Sequence, residues 1–253
     1  MLETLRLDGR VAIVTGGSRG LGRVMALALA EAGADVALAA RSKPGLEETA
    51  HLVERLGRRA SVIPTDVRSV TEMEALVRQT RDLLGRLDIL VNNSGVAEVA
   101  PLAEMLPAAW GRVLETNLTG VFNGCRAVAS HFLSARSGKI VNVASVLGAV
   151  GLPGYTAYAA SKGGVIALTR TLAVEWARYN VQVNAIAPGW FVTEMNRGAF
   201  ADEKIRERLL REVPMRRPGR VEEIGPLIVY LASPASDFMT GQTIFLDGGH
   251  SAA

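Results

Sequence analysis

The stretch Val11-Ala12-Ile13-Val14-Thr15-Gly16-Gly17-Ser18-Arg19-Gly20-Leu21-Gly22 decides the fold of this chain. Its first five residues form a short apolar run, which is typical of a strand buried on both faces of a parallel sheet. The glycines that follow permit a tight turn, and a helical pattern then begins at Leu21 and is closed by Gly33. The order strand, glycine-rich turn, helix predicts the start of an α/β fold with a nucleotide site.

The rest of the chain alternates between short apolar strands and longer helical patterns. Six more strands are predicted, at residues 35–40, 60–64, 87–91, 139–143, 181–186 and 243–246. Helical patterns occupy residues 21–32, 46–56, 72–84, 107–136, 158–179 and 222–231. This alternation predicts an α/β protein with a single-domain Rossmann fold over residues 1–253, in which helices cover both faces of a doubly wound, seven-stranded parallel sheet.

Composition excludes several classes of function. The chain has 253 residues, 49% of them hydrophobic, and a net charge of +3 with no basic tract interleaved with aromatics, so no nucleic-acid partner is expected. A single cysteine, Cys125, excludes an intrachain disulfide, and three widely separated histidines form no metal-ligand pattern. With no signal-peptide core near the N-terminus and no apolar run of membrane-spanning length, we expect a cytoplasmic protein without a membrane partner.

The glycine-rich turn is the predicted site for a dinucleotide. Its glycines let a pyrophosphate approach the backbone at the start of a helix, whose N-terminus favours negative charge. The spacing is Gly-x-x-x-Gly-x-Gly rather than the commoner Gly-x-Gly-x-x-Gly, and no Gly-Lys-Ser/Thr sequence of a P-loop follows. A purely structural turn is the competing interpretation.

The end of the second strand indicates which dinucleotide binds. An NAD site usually has an acidic residue there, but this chain has Arg41 and Ser42, and Asp35 at the start of the strand is too distant. Arg41 and Arg19 could together receive the 2′-phosphate of NADP(H), unless both are merely solvated surface groups. NADP(H) is therefore favoured as the cofactor, with NAD(H) as the alternative.

A tyrosine and a lysine lie four residues apart in Tyr158-Ala159-Ala160-Ser161-Lys162, where a helix would place both on one face. A nearby cation favours the phenolate and can bring the pKa of a tyrosine, ordinarily about 10, toward the working range. The pair could therefore act as an acid or base, although many ordinary helices carry the same spacing.

Further polar residues follow other strands. Asp66 after the third strand could accept a hydrogen bond from an adenine amino group, and Asn92 at the end of the fourth could brace adjacent strands. Either could instead be a simple cap or turn residue. Ser145 follows the fifth strand, so its hydroxyl would lie at the same edge of the sheet.

In combination these motifs resemble those of classical short-chain dehydrogenases/reductases over essentially the full chain. The matching segments are the glycine motif at 15–22, Asn92-Asn93-Ser94-Gly95, Asn117, Ser145, Tyr158 with Lys162, and Pro188-Gly189. Ser94 departs from the pattern, because the family usually has alanine there.

The resemblance implies an enzyme that transfers hydride between a nicotinamide cofactor and a ketone or secondary alcohol. Tyr158 would exchange the proton, Lys162 would bind the nicotinamide ribose and lower the Tyr158 pKa, and Ser145 would donate a hydrogen bond to the carbonyl oxygen. Asn117 would position a water molecule that links Lys162 to solvent. These four residues are the predicted catalytic set, and no metal is expected.

The resemblance also implies a set of cofactor-binding residues. They are Gly16, Ser18, Arg19, Gly20, Leu21, Gly22, Arg41, Ser42, Asp66, Val67, Asn93, Ser94, Gly95, Tyr158, Lys162, Pro188, Gly189 and Thr193. A substrate lid is expected at about 189–218, carrying Trp190, Phe191, Met195 and Phe200. Tyr155 has no lysine four positions later and is interpreted as pocket wall, while the helix around 157–176 and the C-terminal strand suggest a homotetramer or dimer.

Two hypotheses remain for the identity of the substrate. The segment 151–195 is most similar to gluconate 5-dehydrogenase-like reductases of sugar acids and polyols, which favours such a small molecule, with Asn196 and Arg197 as its polar partners. The 3-oxoacyl-carrier-protein reductases are nearly as similar, and a docking surface for their carrier could include Arg126, Arg170, Arg216 and Arg217. A dinucleotide-binding sensor or scaffold is the non-enzyme alternative, against which the retention of Ser145, Tyr158 and Lys162 argues.

Overall fold

The computed structural model describes residues 2–253 and contains one parallel sheet of seven strands. They are β1 (Val11–Thr15), β2 (Asp35–Ala40), β3 (Ala60–Pro64), β4 (Ile89–Asn92), β5 (Gly138–Val143), β6 (Val181–Pro188) and β7 (Thr243–Leu246). Their order is β3-β2-β1-β4-β5-β6-β7, and every pair of neighbours is parallel. The predicted fold class is confirmed.

Helices cover both faces of the sheet. The helices are α1 (Gly20–Glu31), α2 (Lys43–Arg55), α3 (Val70–Leu84), α4 (Pro107–Leu114), α5 (Gly120–Ala135), α6 (Thr156–Trp176), α7 (Arg197–Ala201), α8 (Glu203–Arg211) and α9 (Gly225–Ala232). Buried residues of α1, α2 and α9 form one apolar core against the sheet, and those of α3, α5 and α6 form the other.

Strand β1 shows why the apolar runs are continuous rather than alternating. Val11 and Ile13 belong to the core on the α3, α5 and α6 side, whereas Ala12 and Val14 belong to the core on the opposite side. All four are at most 1% exposed. Because both faces of the strand are buried, the residues from Val11 to Val14 are apolar without a break.

The direction in which successive strands are added to the sheet reverses between β1 and β4. Hydrogen bonds link the carboxyl ends of these two strands. The Thr15 hydroxyl donates to the carbonyl oxygen of Val91 at 3.3 Å and accepts the backbone N–H of Asn93 at 2.9 Å. In open α/β sheets, ligands bind in the crevice at such a switch point.

The helical pattern predicted over 107–136 is helical in the structure but is interrupted by one turn of a different kind. The chain forms α4, then a π-helical turn over Glu115–Thr119, then α5. The side chain of Asn117, within that turn, is bonded to the backbone of Val96. Such turns inside helices often lie at functional sites, and their extra residue leaves no mark on an apolar periodicity.

The stretch expected to be a lid, at about 189–218, contains the short helices α7 and α8. The Asp202 carboxylate accepts the backbone N–H of Ile205 at 3.1 Å and caps the start of α8. In the sequence, the signal for the start of this helix is an aspartate directly before a charged helical segment.

Candidate active site

A cavity of about 930 Å³ opens at the carboxyl ends of the strands. Of the residues predicted for the cofactor and for catalysis, all except Asn117 line it. The cavity runs from the glycine-rich turn and the end of β2, past Ser145 and Tyr158, to the segment after β6. The fold therefore brings residues that are up to 177 positions apart, from Gly16 to Thr193, into one cavity.

The glycine-rich turn is packed too closely for side chains. A Cβ atom placed at residue 22 would lie 2.2 Å from the carbonyl oxygen of Gly16 and 2.4 Å from Nδ2 of Asn93. Gly16 and Gly20 have φ values of 67° and 55°, which favour glycine. Arg19 precedes α1 without a side-chain cap, so the first N–H groups of the helix are available to an anion such as a pyrophosphate.

Two side chains hold this turn in place. The Asn93 amide donates to the carbonyl oxygens of Thr15 at 2.9 Å and Gly16 at 3.3 Å. Arg23 of α1 donates to the carbonyl oxygen of Ser18 at 2.6 Å and to the Thr49 hydroxyl of α2 at 3.0 Å. Arg23 was missed from sequence, because its partner on α2 lies 26 positions away.

We expect Gly22→Ala to weaken NADPH binding at least about tenfold and to destabilise the fold by about 1–3 kcal/mol, because the new methyl group meets backbone. Gly111→Ala is the matched control: a Cβ at that helical position of α4 has no atom within 4 Å. We expect it to leave binding unchanged and to raise stability slightly. Fluorescence titration and urea unfolding measure both effects, and equal NADPH affinity in the two variants would contradict this role of the turn.

The end of β2 places positive charge at the nucleotide end of the cavity. Arg41 follows the last residue of the strand, and its side chain and that of Arg19 are exposed and line the cavity. Asp35 lies at the other end of β2, where Arg58 and Arg59 each approach its carboxylate to 2.7 Å. Asp35 is thus held away from the cavity, as expected.

Asp66 lies at the predicted adenine end, but its carboxylate is already engaged. The Nε atom of Arg68 approaches both carboxylate oxygens at 3.0 Å, and this hydrogen bonding holds the Asp66 pKa below its usual value. Arg68 lines the same cavity and was missed from sequence. The Asp66 contact to an adenine amino group stays a prediction, and Arg68 has to share or release the carboxylate for it to form.

Helix α6 and the end of β5 bring together most of the residues predicted to be catalytic. Tyr158 and Lys162 lie one turn apart on α6, and the Lys162 ammonium is 5.7 Å from the centre of the Tyr158 ring. The ammonium donates to the carbonyl oxygen of Val143 at 2.7 Å. The Ser145 oxygen accepts the N–H of Leu147 at 3.2 Å, which fixes the serine after the strand.

Burial controls the ionisation of Tyr158 and Lys162. It raises the pKa of Tyr158, against the lowering effect of a hydrogen bond with Ser145, and it lowers the pKa of Lys162 to about 8. In the protein without cofactor the pKa of Tyr158 is thus raised overall, because desolvation favours the neutral phenol. The lowering of this pKa by Lys162 stays a prediction. A protonated phenol at neutral pH suits Tyr158 as a proton donor.

Asn117 lies behind the cavity rather than in its wall. Its side chain is fully buried, accepts the N–H of Val96 at 2.8 Å, and donates to Val96 O at 2.9 Å and to the Ser161 hydroxyl at 3.1 Å. The Ser161 hydroxyl donates to the carbonyl oxygen of Tyr158 at 2.7 Å. Asn117 thus braces the catalytic turn of α6, and the water it was expected to hold stays a prediction.

Aromatic rings continue the cavity wall away from Tyr158. Tyr155 packs edge-on against both Tyr158 and Trp190 with centroid distances of 6.3 Å, and Trp190 contacts Phe200 at 6.1 Å. Tyr155 and Trp190 line the cavity. The Nε1 atom of Trp190 is buried and has no hydrogen-bond partner among the described residues.

The segment expected to be a lid reaches across to the glycine-rich turn. A Cβ at Gly20 would lie 3.5 Å from a carboxylate oxygen of Glu194 and 3.7 Å from Thr193. Asn196 lines the cavity, but its amide donates to Phe191 O at 2.8 Å and its oxygen accepts the N–H of Thr193 at 2.9 Å. Movement of this segment stays a prediction.

A family model described as Enoyl-(Acyl carrier protein) reductase matches residues 16–251. The chain belongs to the short-chain dehydrogenase/reductase family. Members of this family are oxidoreductases that use NAD or NADP, and the glycine-rich turn with its uncapped helix fits such a dinucleotide.

Full-length relatives carry two different activities in their names. The chain is 40% identical to the 3-oxoacyl-(acyl-carrier-protein) reductase of Thermotoga maritima, covering 97% of this chain and 99% of that one. It is 39% identical to the gluconate 5-dehydrogenase of Gluconobacter oxydans, covering 98% and 96%. The solved gluconate 5-dehydrogenase of Burkholderia cenocepacia, in complex with NADP and tartrate, is 40% identical with a TM-score of 0.96 over 100% of this chain and 99% of that one.

Residues 2–253, which the structure describes, contain no group of three or more His, Cys, Asp or Glu placed to hold a metal ion. His131, which is partly buried, lies 3.0 Å from the carbonyl oxygen of Leu87. Within the same residues, no helix has the length and apolar character of a membrane span.

Proposed function

We propose that the protein interconverts a ketone and a secondary alcohol with NADP(H) as cofactor. The observation that carries this proposal is the single cavity that joins the uncapped N-terminus of α1 to Ser145, Tyr158 and Lys162. These side chains supply what carbonyl reduction requires of a protein: a proton donor, a hydrogen-bond donor to the oxygen and a cation.

Bound NADP(H) supplies the hydride in reduction and accepts it in oxidation. The Tyr158 phenol gives its proton to the substrate oxygen, and the Ser145 hydroxyl donates a hydrogen bond to the same oxygen as negative charge develops on it. The Lys162 ammonium lies 5.7 Å from the Tyr158 ring, where it stabilises the phenolate that proton transfer leaves behind. Asn117, through Ser161, keeps this turn of α6 in position.

We expect Arg41→Ala to weaken NADPH binding about 10- to 100-fold, since a charge-assisted hydrogen bond contributes about 1.5–3 kcal/mol. NADH binding should change little, because only NADPH carries the 2′-phosphate. The matched control is Arg55→Ala, which removes an exposed arginine near the end of α2 that does not line the cavity. Fluorescence titration of both cofactors measures the ratio of NADPH affinity to NADH affinity in each variant. If Arg41→Ala lowered both affinities equally, NADP(H) selectivity would have another source.

The activity itself is tested by following NADPH oxidation against a panel of ketones and NADP⁺ reduction against the matching alcohols. Turnover of any member supports the proposal. If the protein bound NADPH tightly and turned over none of the ketones or alcohols, the sensor or scaffold interpretation would replace it.

Both substrate classes expected from the sequence, a sugar acid or polyol and an acyl-carrier-protein thioester, stay predictions. Asn196, named for the sugar acid, uses its side chain on the backbone of its own segment, and Arg197 is exposed and outside the lining. For the carrier protein, Arg216 and Arg217 are exposed, but Arg217 is paired with Glu223 at 2.9 Å. Comparing the rate of reduction of 5-ketogluconate with that of an acetoacetyl thioester tests these two substrate classes.

A homotetramer or dimer is part of the same proposal. The edge strand β7 is only half-buried along its length, and Val174 on α6 is 83% exposed. A second copy packed on these surfaces would remove that apolar area from water. Light scattering of the purified protein measures the assembly directly.

A further inference from the structure

The cavity has two chemically different ends. Four arginines, Arg19, Arg23, Arg41 and Arg68, line the end formed by the glycine-rich turn, the end of β2 and the loop after β3. That end suits the phosphates of a dinucleotide. The end beyond Tyr158, where a substrate has to lie, is formed by other elements and has a different composition.

Aromatic and aliphatic side chains line the substrate end. Its lining includes the aromatic wall of Tyr155 and Trp190 together with Val96, Ala97, Val99, Val146, Leu147 and Met195. Val99 and Met195 are 60% and 56% exposed, so their apolar surface faces open space rather than a packed core. Apolar surface left open at the mouth of a cavity is typical of a site that binds an apolar ligand.

Charge at the substrate end is sparse. The Lys162 ammonium is buried against Val143 O, and the charged lining residue of the lid, Glu194, lies beside Gly20 at the other end of the cavity. Arg208 of α8 acts electrostatically on Tyr155, but its side chain is exposed and outside the lining, so water screens it. Among the described residues, the lining of this end therefore holds no cation to pair with a substrate carboxylate.

We infer that the substrate is a neutral ketone whose remaining carbons form an apolar ring or chain, and that anionic sugar acids are poor substrates. The inference rests on the proposed ketone reduction and adds its substrate class. Moving an unpaired carboxylate from water into this end is unfavourable, whereas covering its apolar surface is favourable. A polyol would likewise lose most of its hydrogen bonds to water without finding partners.

Isosteric pairs that differ in charge test the inference with the wild-type protein and NADPH. We compare 4-oxopentanoate with 5-methylhexan-2-one, and acetoacetate with 4-methylpentan-2-one, because an isopropyl group has nearly the shape of a carboxylate. We expect kcat/KM to be at least about tenfold higher for each neutral ketone. Equal or higher values for the acids, or efficient reduction of 5-ketogluconate, would overturn the inference.

Val99→Arg places a cation at this end and should reverse the preference. We expect the ratio of kcat/KM for acid over neutral ketone to rise at least about tenfold, since the carboxylate gains a partner. Leu83→Arg on α3 is the matched control: Leu83 is also 60% exposed but lies outside the lining. A similar rise in both variants would show that overall charge, not the cavity, sets the preference.

Binding to Tyr158→Phe saturated with NADPH separates this inference from the proposed function. Calorimetry with the same pairs of acid and neutral ketone measures binding affinity without turnover. Tighter binding of the neutral members supports the inference even if no ketone is reduced, in which case the proposed reaction alone fails. Tighter binding of the acids overturns it whatever the turnover results are.

Discussion

Tyr158→Phe is expected to lower kcat for ketone reduction by about 10²- to 10⁴-fold, the usual contribution of a positioned general acid. Phenylalanine keeps the ring that packs at 6.3 Å against Tyr155 and removes the hydroxyl that is proposed to give a proton to the substrate oxygen. NADPH affinity should stay within a few-fold, because the phosphate end of the cavity is formed by other elements. Steady-state turnover and fluorescence titration measure the two quantities separately.

Tyr155→Phe is the matched control for this prediction. It removes the hydroxyl of a neighbouring tyrosine in the same wall, and burial also raises the pKa of Tyr155. We expect kcat to fall by less than about tenfold, since Tyr155 is interpreted as pocket wall and not as the proton donor. Full activity of Tyr158→Phe, or equal losses in both variants, would assign the proton transfer elsewhere.

The raised pKa of Tyr158 gives the two directions of the reaction opposite pH dependences. Reduction needs the protonated phenol, which is present throughout the neutral range, whereas oxidation needs the phenolate. Oxidation of the alcohol should therefore accelerate as the pH rises above neutrality, while reduction slows only at high pH. This follows from burial, which the spacing of Tyr158 and Lys162 could not reveal.

Sequence patterns predicted those parts of the molecule that depend on local chemistry. The bounds of β1, β2, β3 and β7 match the predicted strands. For β1 and β2 this follows from burial on both faces, which gives a nearly unbroken apolar run, whereas the edge strands β3 and β7 are only partly buried. The glycine-rich turn and the strand ends indicated where the cavity lies, as in other doubly wound sheets, and the resemblance to short-chain dehydrogenases/reductases implied most of the individual residues predicted to line it.

Features that depend on contacts between distant elements were not predicted. Arg23 and Ser161 act through partners 26 and 44 positions away, and Arg68 is defined by its pairing with Asp66 within a loop. The π-helical turn around Asn117 adds one residue to an otherwise helical pattern, which periodicity cannot separate from a continuous helix. Desolvation of Lys162 likewise depends on the packing around it rather than on its neighbours in sequence.

Lys162→Met is expected to lower kcat by about 10²- to 10⁴-fold, because the cation beside the Tyr158 phenolate is lost. It should also change how stability depends on pH. The Lys162 pKa is about 8 in the folded protein and ordinarily 10.5. Between these values the unfolded chain binds more protons than the folded one, so the contribution of Lys162 to stability rises with pH across that window.

Below pH 8 the folded protein holds a charged, desolvated ammonium, and this unfavourable contribution is lost by pH 10.5. The variant lacks it at every pH. The free energy of unfolding of wild type relative to Lys162→Met should therefore rise by about 3 kcal/mol from pH 7 to pH 10.5, since each pKa unit corresponds to about 1.4 kcal/mol. Taking the difference between the free energies of unfolding of wild type and variant cancels the contributions of other titrating groups. It also cancels any pH-independent effect of losing the hydrogen bond to Val143.

Urea unfolding of the cofactor-free protein at several pH values measures this difference. The matched control is Lys204→Met, which removes an ammonium that is exposed on α8 and should leave the slope of stability against pH unchanged. A pH-independent difference for Lys162→Met would mean that the ammonium remains solvated in the folded state. Lys162 would then stabilise the phenolate far less, because water would screen its charge from Tyr158. A slope of the expected sign would instead show that the protein gives up stability at neutral pH to keep a desolvated cation beside its proton donor.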